Sequence, residues 1–188
     1  MNTKSSWPRE IFWLAMDCLL ILLLAAWLIG LRFNFTSSMP VGLYLIGPEP
    51  AQRGDLVTFC LPSDNPFSAL AEKRAYLQSG LCLTGRQPLL KRLAGTTGDW
   101  VTISESGIAL NGIYLTGTKR PNRDSQGRPL PDSLLSNGVI PDGLALVLSN
   151  EHDGGFDSRH FGLVSLSSLH KVKPILLFGD APHQPQGE

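Results

Sequence analysis

An uninterrupted apolar segment near the N-terminus constrains this chain more than any other feature. Residues 11–31 read IFWLAMDCLLILLLAAWLIGL and carry one charge, Asp17. At about 1.5 Å per residue, a helix of this length spans about 30 Å, the thickness of a bilayer's hydrocarbon core. A helix in a protein core would show a polar face, and a cleaved secretory signal would be shorter and end in a small-residue site. We therefore predict an uncleaved transmembrane helix in contact with membrane lipid.

The charges that flank this segment predict its orientation. Lys4 and Arg9 precede it, and Arg32 alone closely follows it. Because cytoplasmic flanks carry the excess of basic residues, we expect the N-terminus in the cytoplasm and the bulk of the chain outside it. The expected organisation is a cytoplasmic N-terminus (1–10), a transmembrane helix (11–31), an outer domain (32–180) and a flexible tail (181–188).

Charge and cysteine usage narrow the function classes. Sixteen basic and sixteen acidic side chains cancel, so no net field attracts nucleic acid. The His and Cys residues are scattered without metal-ligand spacing, so no metal or other cofactor is predicted. Cys60 and Cys82 lie in the part expected in an oxidising compartment, where a disulfide closing their loop is expected. The alternative is two unpaired buried thiols, and Cys18 is interpreted as a small apolar residue of the transmembrane segment.

Beyond residue 32, short apolar runs separated by turn residues predict a mainly β domain. Asn111-Gly112 supplies the backbone conformations of a tight turn, which predicts a hairpin of 108–110 with 113–115. Helices are predicted from Ser63 or Asp64 to about Ser79, as an insertion between the two cysteines, and in two short segments, 132–136 and 165–170. The other strands are expected at 43–46, 56–59, 89–93, 100–103, 144–148 and 175–178.

Two segments have residues suited to nucleophilic catalysis. Ser38 follows the transmembrane segment closely and precedes Met-Pro, so it is either a nucleophile at the lipid surface or part of a polar linker. Lys91 lies inside an apolar strand, so it either extends its amine to solvent or is buried. Burial lowers a lysine pKa, and a neutral amine can accept the proton of a serine hydroxyl. Arg92 would point to the opposite face of that strand.

A third segment, residues 149–164, is a glycine-rich polar loop that follows a buried strand. Asp157 and Arg159 stand two residues apart. On an extended strand this spacing places both side chains on one face. We expect them to pair or to hold the loop.

Four segments together resemble the type I signal peptidases, the serine-lysine peptidases of family S26. Ser-Met-Pro-x-Gly-Leu-Tyr, the single transmembrane helix, the cysteine pair and Phe-Asp-Ser-Arg-x-Phe-Gly are similar to the TraF peptidases of conjugative plasmids. The matching segments, in order, are Ser38-Met39-Pro40, Gly54-Asp55-Leu56-Val57, Lys91-Arg92 with Gly98-Asp99, and Asp157-Ser158-Arg159-x-Phe161-Gly162.

The resemblance implies a signal-peptidase-type complex β fold and a role for each matched residue. Ser38 attacks the scissile carbonyl, and Lys91 is the general base and then the general acid. The backbone N–H of Ser38 and the hydroxyl of Thr36 form the oxyanion hole, while Asp157 and Arg159 support the site.

The histidines have no role in the chemistry implied by this resemblance. His152, His160 and His170 are expected in loops or on the surface.

Two departures from the family pattern concern Lys91. Housekeeping enzymes commonly have Gly-Asp-Asn where this chain has Ser149-Asn150-Glu151, and often a serine where it has Gly155. That serine orients the lysine amine, so Ser158 or a backbone carbonyl is expected to do so here.

The expected function is a membrane-bound serine endopeptidase in the bacterial inner membrane, with its catalytic domain in the periplasm. Its substrate would be a precursor protein, most simply the prepilin of a conjugation or type IV secretion apparatus, with small residues at the first and third positions before the cut. The substrate would bind as an extended strand. The alternatives are a housekeeping signal peptidase of broad specificity and a non-catalytic secretion subunit. A self-cleaving repressor-type peptidase fits the serine-lysine pair but not the transmembrane segment.

Overall fold

The computed structural model describes residues 7–36, 39–149 and 154–178. Helix α1 (Trp7–Leu28) contains a segment, Arg9–Leu28, that is long and apolar enough to cross a membrane, with a mean hydropathy of 2.4 and no side chain buried in the rest of the protein. It ends three residues before the predicted limit because Gly30 turns the chain with a φ of 91°. Leu31, predicted to end the helix, instead begins strand β1 (Leu31–Asn34).

Eleven strands, in two antiparallel sheets, form most of the remaining described architecture. After β1 they are β2 (Gly42–Ile46), β3 (Leu56–Phe59), β4 (Leu89–Thr96), β5 (Trp100–Ser104), β6 (Gly107–Leu110), β7 (Ile113–Tyr114), β8 (Gly138–Val139), β9 (Leu144–Leu148), β10 (Val164–Ser165) and β11 (His170–Leu177). The large sheet has the order β1-β2-β11-β3-β4-β9-β10, and the small sheet has the order β7-β6-β5-β8. The predicted mainly β class is therefore confirmed.

The hairpin predicted around Asn111-Gly112 is also confirmed. Both residues have positive φ, 52° and 82°, and β6 pairs with β7 across the turn. Asparagine and glycine tolerate this backbone conformation better than other residues, so this local signal was sufficient to specify the turn.

Alternation along the central strands builds the core that surrounds the site. Every second residue of β4 is buried, from Leu89 through Lys91 to Leu93. On β9, Ala145 and Val147 lie in the same hydrophobic cluster as Leu89 and Leu93. The intervening residues of β9 belong to a second cluster, formed with the small sheet. Lys91 therefore points into the apolar face of the large sheet.

The predicted helical insertion and its disulfide are present, but the helix is shorter than predicted. Cys60 and Cys82 are joined, with a Cα–Cα distance of 5.8 Å. Helix α2 (Pro66–Lys73) begins after Asn65, whose side chain accepts a hydrogen bond from the N–H of Phe67. It ends early because Ala75 adopts a φ of 56°, which is incompatible with a continuing right-handed helix.

The helix predicted at 132–136 is wrong. The Ser133 hydroxyl donates to the carbonyl of Arg159, and the N–H of Leu134 donates to the carbonyl of His160. These long-range bonds hold the segment in an irregular conformation. The one predicted at 165–170 is a 3₁₀ turn, Leu166–Ser168, and the strand predicted at 175–178 is the end of the longer β11. Residues 1–6 and the predicted tail lie outside the described residues.

Candidate active site

Lys91 is the most unusual residue of the large sheet. It lies on β4 opposite Val57 of β3, and the residue is only 2% exposed. Burial in this apolar environment lowers its pKa from about 10.5 to about 8; the negative charge of Asp157 opposes this effect and the positive charge of Arg159 reinforces it. The side chain is therefore buried rather than extended to solvent, and its neutral fraction near neutral pH is small but far larger than that of a solvated lysine.

Arg92 lies on the opposite face, as the alternation predicts. Its side chain is partly buried, and its Nη1 donates to the carbonyl of Gly54 at 2.8 Å.

Asp157 and Arg159 form a buried pair next to this lysine. Arg159 Nε donates to Asp157 Oδ1 at 2.9 Å, and Nη2 donates to Oδ2 at 2.8 Å. The prediction that they lie on one face of an extended strand is wrong, because Asp157 caps the short helix α3 (Ser158–Phe161), which contains Arg159. The helical turn brings the arginine back over its own cap, which makes the two-point contact possible.

This pair also joins three separate parts of the domain. Asp157 Oδ2 accepts the N–H of Ser149 at 2.8 Å, and Arg159 Nη1 donates to the carbonyls of Gly117 and Lys119. Removing one partner would leave a buried charge uncompensated, which typically costs about 3–5 kcal/mol. The geometry supports the expected role of both residues in holding the loop.

Ser158 is fully buried, and its hydroxyl oxygen accepts the N–H of Val147 at 3.0 Å. This bond connects α3 to β9. Ser158 therefore stabilises the strand that lies beside β4.

Ser38, the predicted nucleophile, and its neighbour Ser37 lie outside the described residues. The residues on either side of this pair are described, and hydrogen bonds to Asn34 hold them. Asn34 Nδ2 donates to the carbonyls of Thr36, Met39 and Pro40 at 2.9–3.1 Å. Asn34 Oδ1 accepts from the backbone N–H and the hydroxyl of Thr36. One side chain thus brings both ends of this segment together. Asn34 was missed by the sequence reasoning, because an asparagine after an apolar run has no distinctive signal.

Lys91 and Thr36 line one cavity of about 580 Å³, although 55 positions separate them in the chain (91 − 36 = 55). A serine at position 38 is therefore only two residues along the chain from the cavity wall. The insertion and the segment at 121–130 form the other side, where Tyr76 donates its hydroxyl hydrogen to Asp124 Oδ2 at 2.6 Å. A cavity of this size lies in the range of volumes typical of ligand-binding sites in proteins.

His160 lines the same cavity and corrects the expectation that the histidines lie in loops or on the surface. It is 3% exposed, its pKa is lowered to about 4 chiefly by burial, and its Nδ1 has no hydrogen-bond partner among the described residues. His170 is exposed, as expected, and His152 lies outside the described residues.

The family assignment follows from comparison of the whole chain with known proteins. The family model described as "Signal peptidase, peptidase S26" matches residues 9–176, which include nearly all of α1 and of the β domain. The chain belongs to the S26 signal peptidase family.

Curated relatives narrow the assignment within that family. The plasmid transfer protein TraF of Escherichia coli is 35% identical over 158 residues, covering 84% of this chain and 89% of the relative. The conjugal transfer protein TraF of Agrobacterium tumefaciens (strain 15955) is 37% identical over 153 residues, covering 79% and 84%. These matches place the chain in the TraF-like branch, as the motifs predicted.

A solved signal peptidase I from Enterococcus faecalis V583 is a more distant match. It is 21% identical, with a TM-score of 0.37, and the match covers 68% of this chain and 99% of the other. The assignment rests on the sequence matches.

Proposed function

We propose that this chain is a membrane-bound serine endopeptidase in which Lys91 acts as the general base for Ser38. The observation that carries this proposal is a buried lysine amine, with its pKa lowered to about 8, in the same cavity as Thr36. A solvated lysine has little use as a base at neutral pH, whereas this one has a usable neutral fraction.

The proposed chemistry follows from these positions. The neutral amine of Lys91 takes the proton of the Ser38 hydroxyl while the serine oxygen attacks the scissile carbonyl. The resulting ammonium then protonates the departing amine, which leaves an acyl group on Ser38. Water attacks this acyl group with the same amine as base, which releases the new carboxyl terminus and restores the hydroxyl.

Other residues would stabilise the transition state and hold the base. Thr36 and the backbone N–H of Ser38 are proposed as the oxyanion donors. Asp157 and Arg159 keep the end of β9 and α3 against β4 through their buried contacts, so Lys91 keeps its environment during turnover.

The substrate is proposed to be a precursor protein, specifically a prepilin used in conjugative transfer or type IV secretion. The names of the curated relatives, plasmid transfer and conjugal transfer proteins, support this class. An inner-membrane location with the catalytic domain in the periplasm is part of the same proposal. It is supported by the apolar helix α1, by the flanking charges and by the disulfide.

Co-expression with a prepilin tests the proposal. Wild-type chain, Ser38→Ala and the matched neighbour Ser37→Ala are compared in membranes, with precursor and product followed by mass. We expect Ser38→Ala alone to abolish processing. Normal processing by Ser38→Ala would reject the serine-lysine mechanism and favour a non-catalytic secretion subunit. Equal processing of unrelated preproteins would instead indicate a housekeeping signal peptidase.

A further inference from the structure

The hydroxyl of Ser149, the residue that follows β9, is buried and has no hydrogen-bond partner among the described residues. Ser149 is completely inaccessible to solvent. A buried hydroxyl left without a partner destabilises a fold, and such groups in folded proteins call for an explanation. Its position next to the proposed base provides one.

The strand register places Ser149 beside Lys91. Arg92 pairs with Leu148, and Leu93 pairs with Val147, so the next position in this antiparallel ladder sets Ser149 opposite Lys91. Residues directly opposite each other project from the same face, with Cβ atoms about 4.5–5.5 Å apart.

Burial along the two strands agrees with this placement. Leu93 and Val147 are an opposed pair that belongs to a single hydrophobic cluster. Lys91 stands two positions before Leu93, and Ser149 stands two positions after Val147. Because side chains alternate between the two faces, Lys91 and Ser149 lie on that same face.

The backbone of Ser149 is held in place independently of its side chain. Its N–H donates to Asp157 Oδ2 at 2.8 Å, and Asp157 is itself held by Arg159. These two residues are also the charged groups whose fields reach Lys91, while His160 is a third titratable group influenced by Lys91. The backbone of Ser149 is therefore fixed, while its hydroxyl group can rotate about the Cα–Cβ bond.

We propose that Ser149 is the positioning residue of Lys91. Its hydroxyl oxygen accepts an N–H from the lysine Nζ after rotation of the flexible lysine side chain, which directs the lone pair of the amine toward Ser38. This role compensates for Gly155, which stands where related enzymes often carry the orienting serine. The inference rests on the proposed function, because it assigns a task that exists only if Lys91 is the base.

Steady-state cleavage by the full chain in detergent micelles tests this assignment. The substrate is a fluorogenic peptide with alanine at the first and third positions before the cut. The variants are Ser149→Ala, Ser149→Thr, Ser158→Ala and Lys91→Ala, with the exposed Ser167→Ala as the matched loss of a hydroxyl.

We expect Ser149→Ala to lower kcat by about tenfold with little change in KM, the equivalent of one buried hydrogen bond. Its acidic pH limb should move to lower pH, because the buried ammonium loses an acceptor. Ser149→Thr should restore both, and the unfolding midpoint of Ser149→Ala should change little, because removing the hydroxyl also removes the cost of burying it.

Several outcomes would overturn the assignment. One is a Ser149→Ala enzyme with kcat within about twofold of wild type and an unchanged acidic limb. Another is that Ser158→Ala shifts the acidic limb and Ser149→Ala does not. A third is that Ser149→Ala lowers kcat only because it lowers stability, and that Ser149→Thr does not restore kcat. These are distinct from failure of the proposed function, in which Lys91→Ala would retain activity.

Discussion

Replacing Lys91 by methionine should inactivate the protein and at the same time make it more stable. Burial lowers the lysine pKa from about 10.5 to about 8, a difference equivalent to about 3 kcal/mol at about 1.4 kcal/mol per unit. Below pH 8 the lysine is protonated in both the folded and the unfolded state, so the folded state carries this full cost. Methionine has a similar length and no charge to desolvate.

The gain should depend on pH with a defined sign. Between about pH 8 and 10.5 the unfolded lysine still holds a proton that the folded one has lost, so the stability of the wild type rises with pH. The advantage of Lys91→Met should therefore be about 3 kcal/mol at pH 7 and shrink toward zero above pH 10.5.

Chemical denaturation of the full chain in detergent, repeated across this pH range, measures the difference. Arg92→Met is the matched control, since it removes a cation from the next position of β4 but from the opposite, partly exposed face. It should give no stabilisation that disappears with rising pH. A Lys91→Met protein that is less stable than wild type at pH 7, or a gain independent of pH, would refute the burial argument.

Two further predictions concern the disulfide and the membrane orientation. Replacing Cys60 and Cys82 by serine should lower the free energy of unfolding by about 3 kcal/mol, because the bond closes a loop of 22 residues; a denaturant midpoint equal to that of the wild type would contradict this. In intact spheroplasts only the outer face of the inner membrane is accessible to added protease. Such a protease should digest the chain beyond about residue 33. Protection until the membrane is lysed would reverse the proposed orientation.

Local patterns were sufficient for much of the architecture. The apolar run from residue 11 required a long, lipid-compatible helix, and alternation with turn residues predicted most of the strands. The Asn111-Gly112 turn could be predicted because it depends on two neighbouring residues. The disulfide of Cys60 and Cys82 could be predicted because the segment that contains them was expected in an oxidising compartment. Some of these predictions failed at boundaries, as at Leu31, where pairing with β2 replaced a last helical turn. The helix predicted at 132–136 failed entirely, because long-range hydrogen bonds to Arg159 and His160 hold that segment in an irregular conformation.

The chemistry of the candidate site was only partly readable. The order of the motifs identified Ser38 and Lys91 as candidate catalytic residues and Asp157 as a candidate supporting residue. The pKa of Lys91, however, depends on which strands cover it. No local pattern distinguishes a buried lysine from one that reaches solvent, because both stand in apolar strands.

The sequence alone thus determined the long apolar N-terminal helix, the mainly β class and the family. Tertiary structure alone decided that Asp157 caps a helix and grips Arg159, that His160 is buried in the cavity wall, and that Ser149 stands opposite Lys91. The physical reason is that helix and strand signals arise from nearest neighbours along the chain. Burial, register and the charges around an amine, by contrast, are set by segments far apart in the chain, such as β3, β4 and β9, that meet only when the sheet forms.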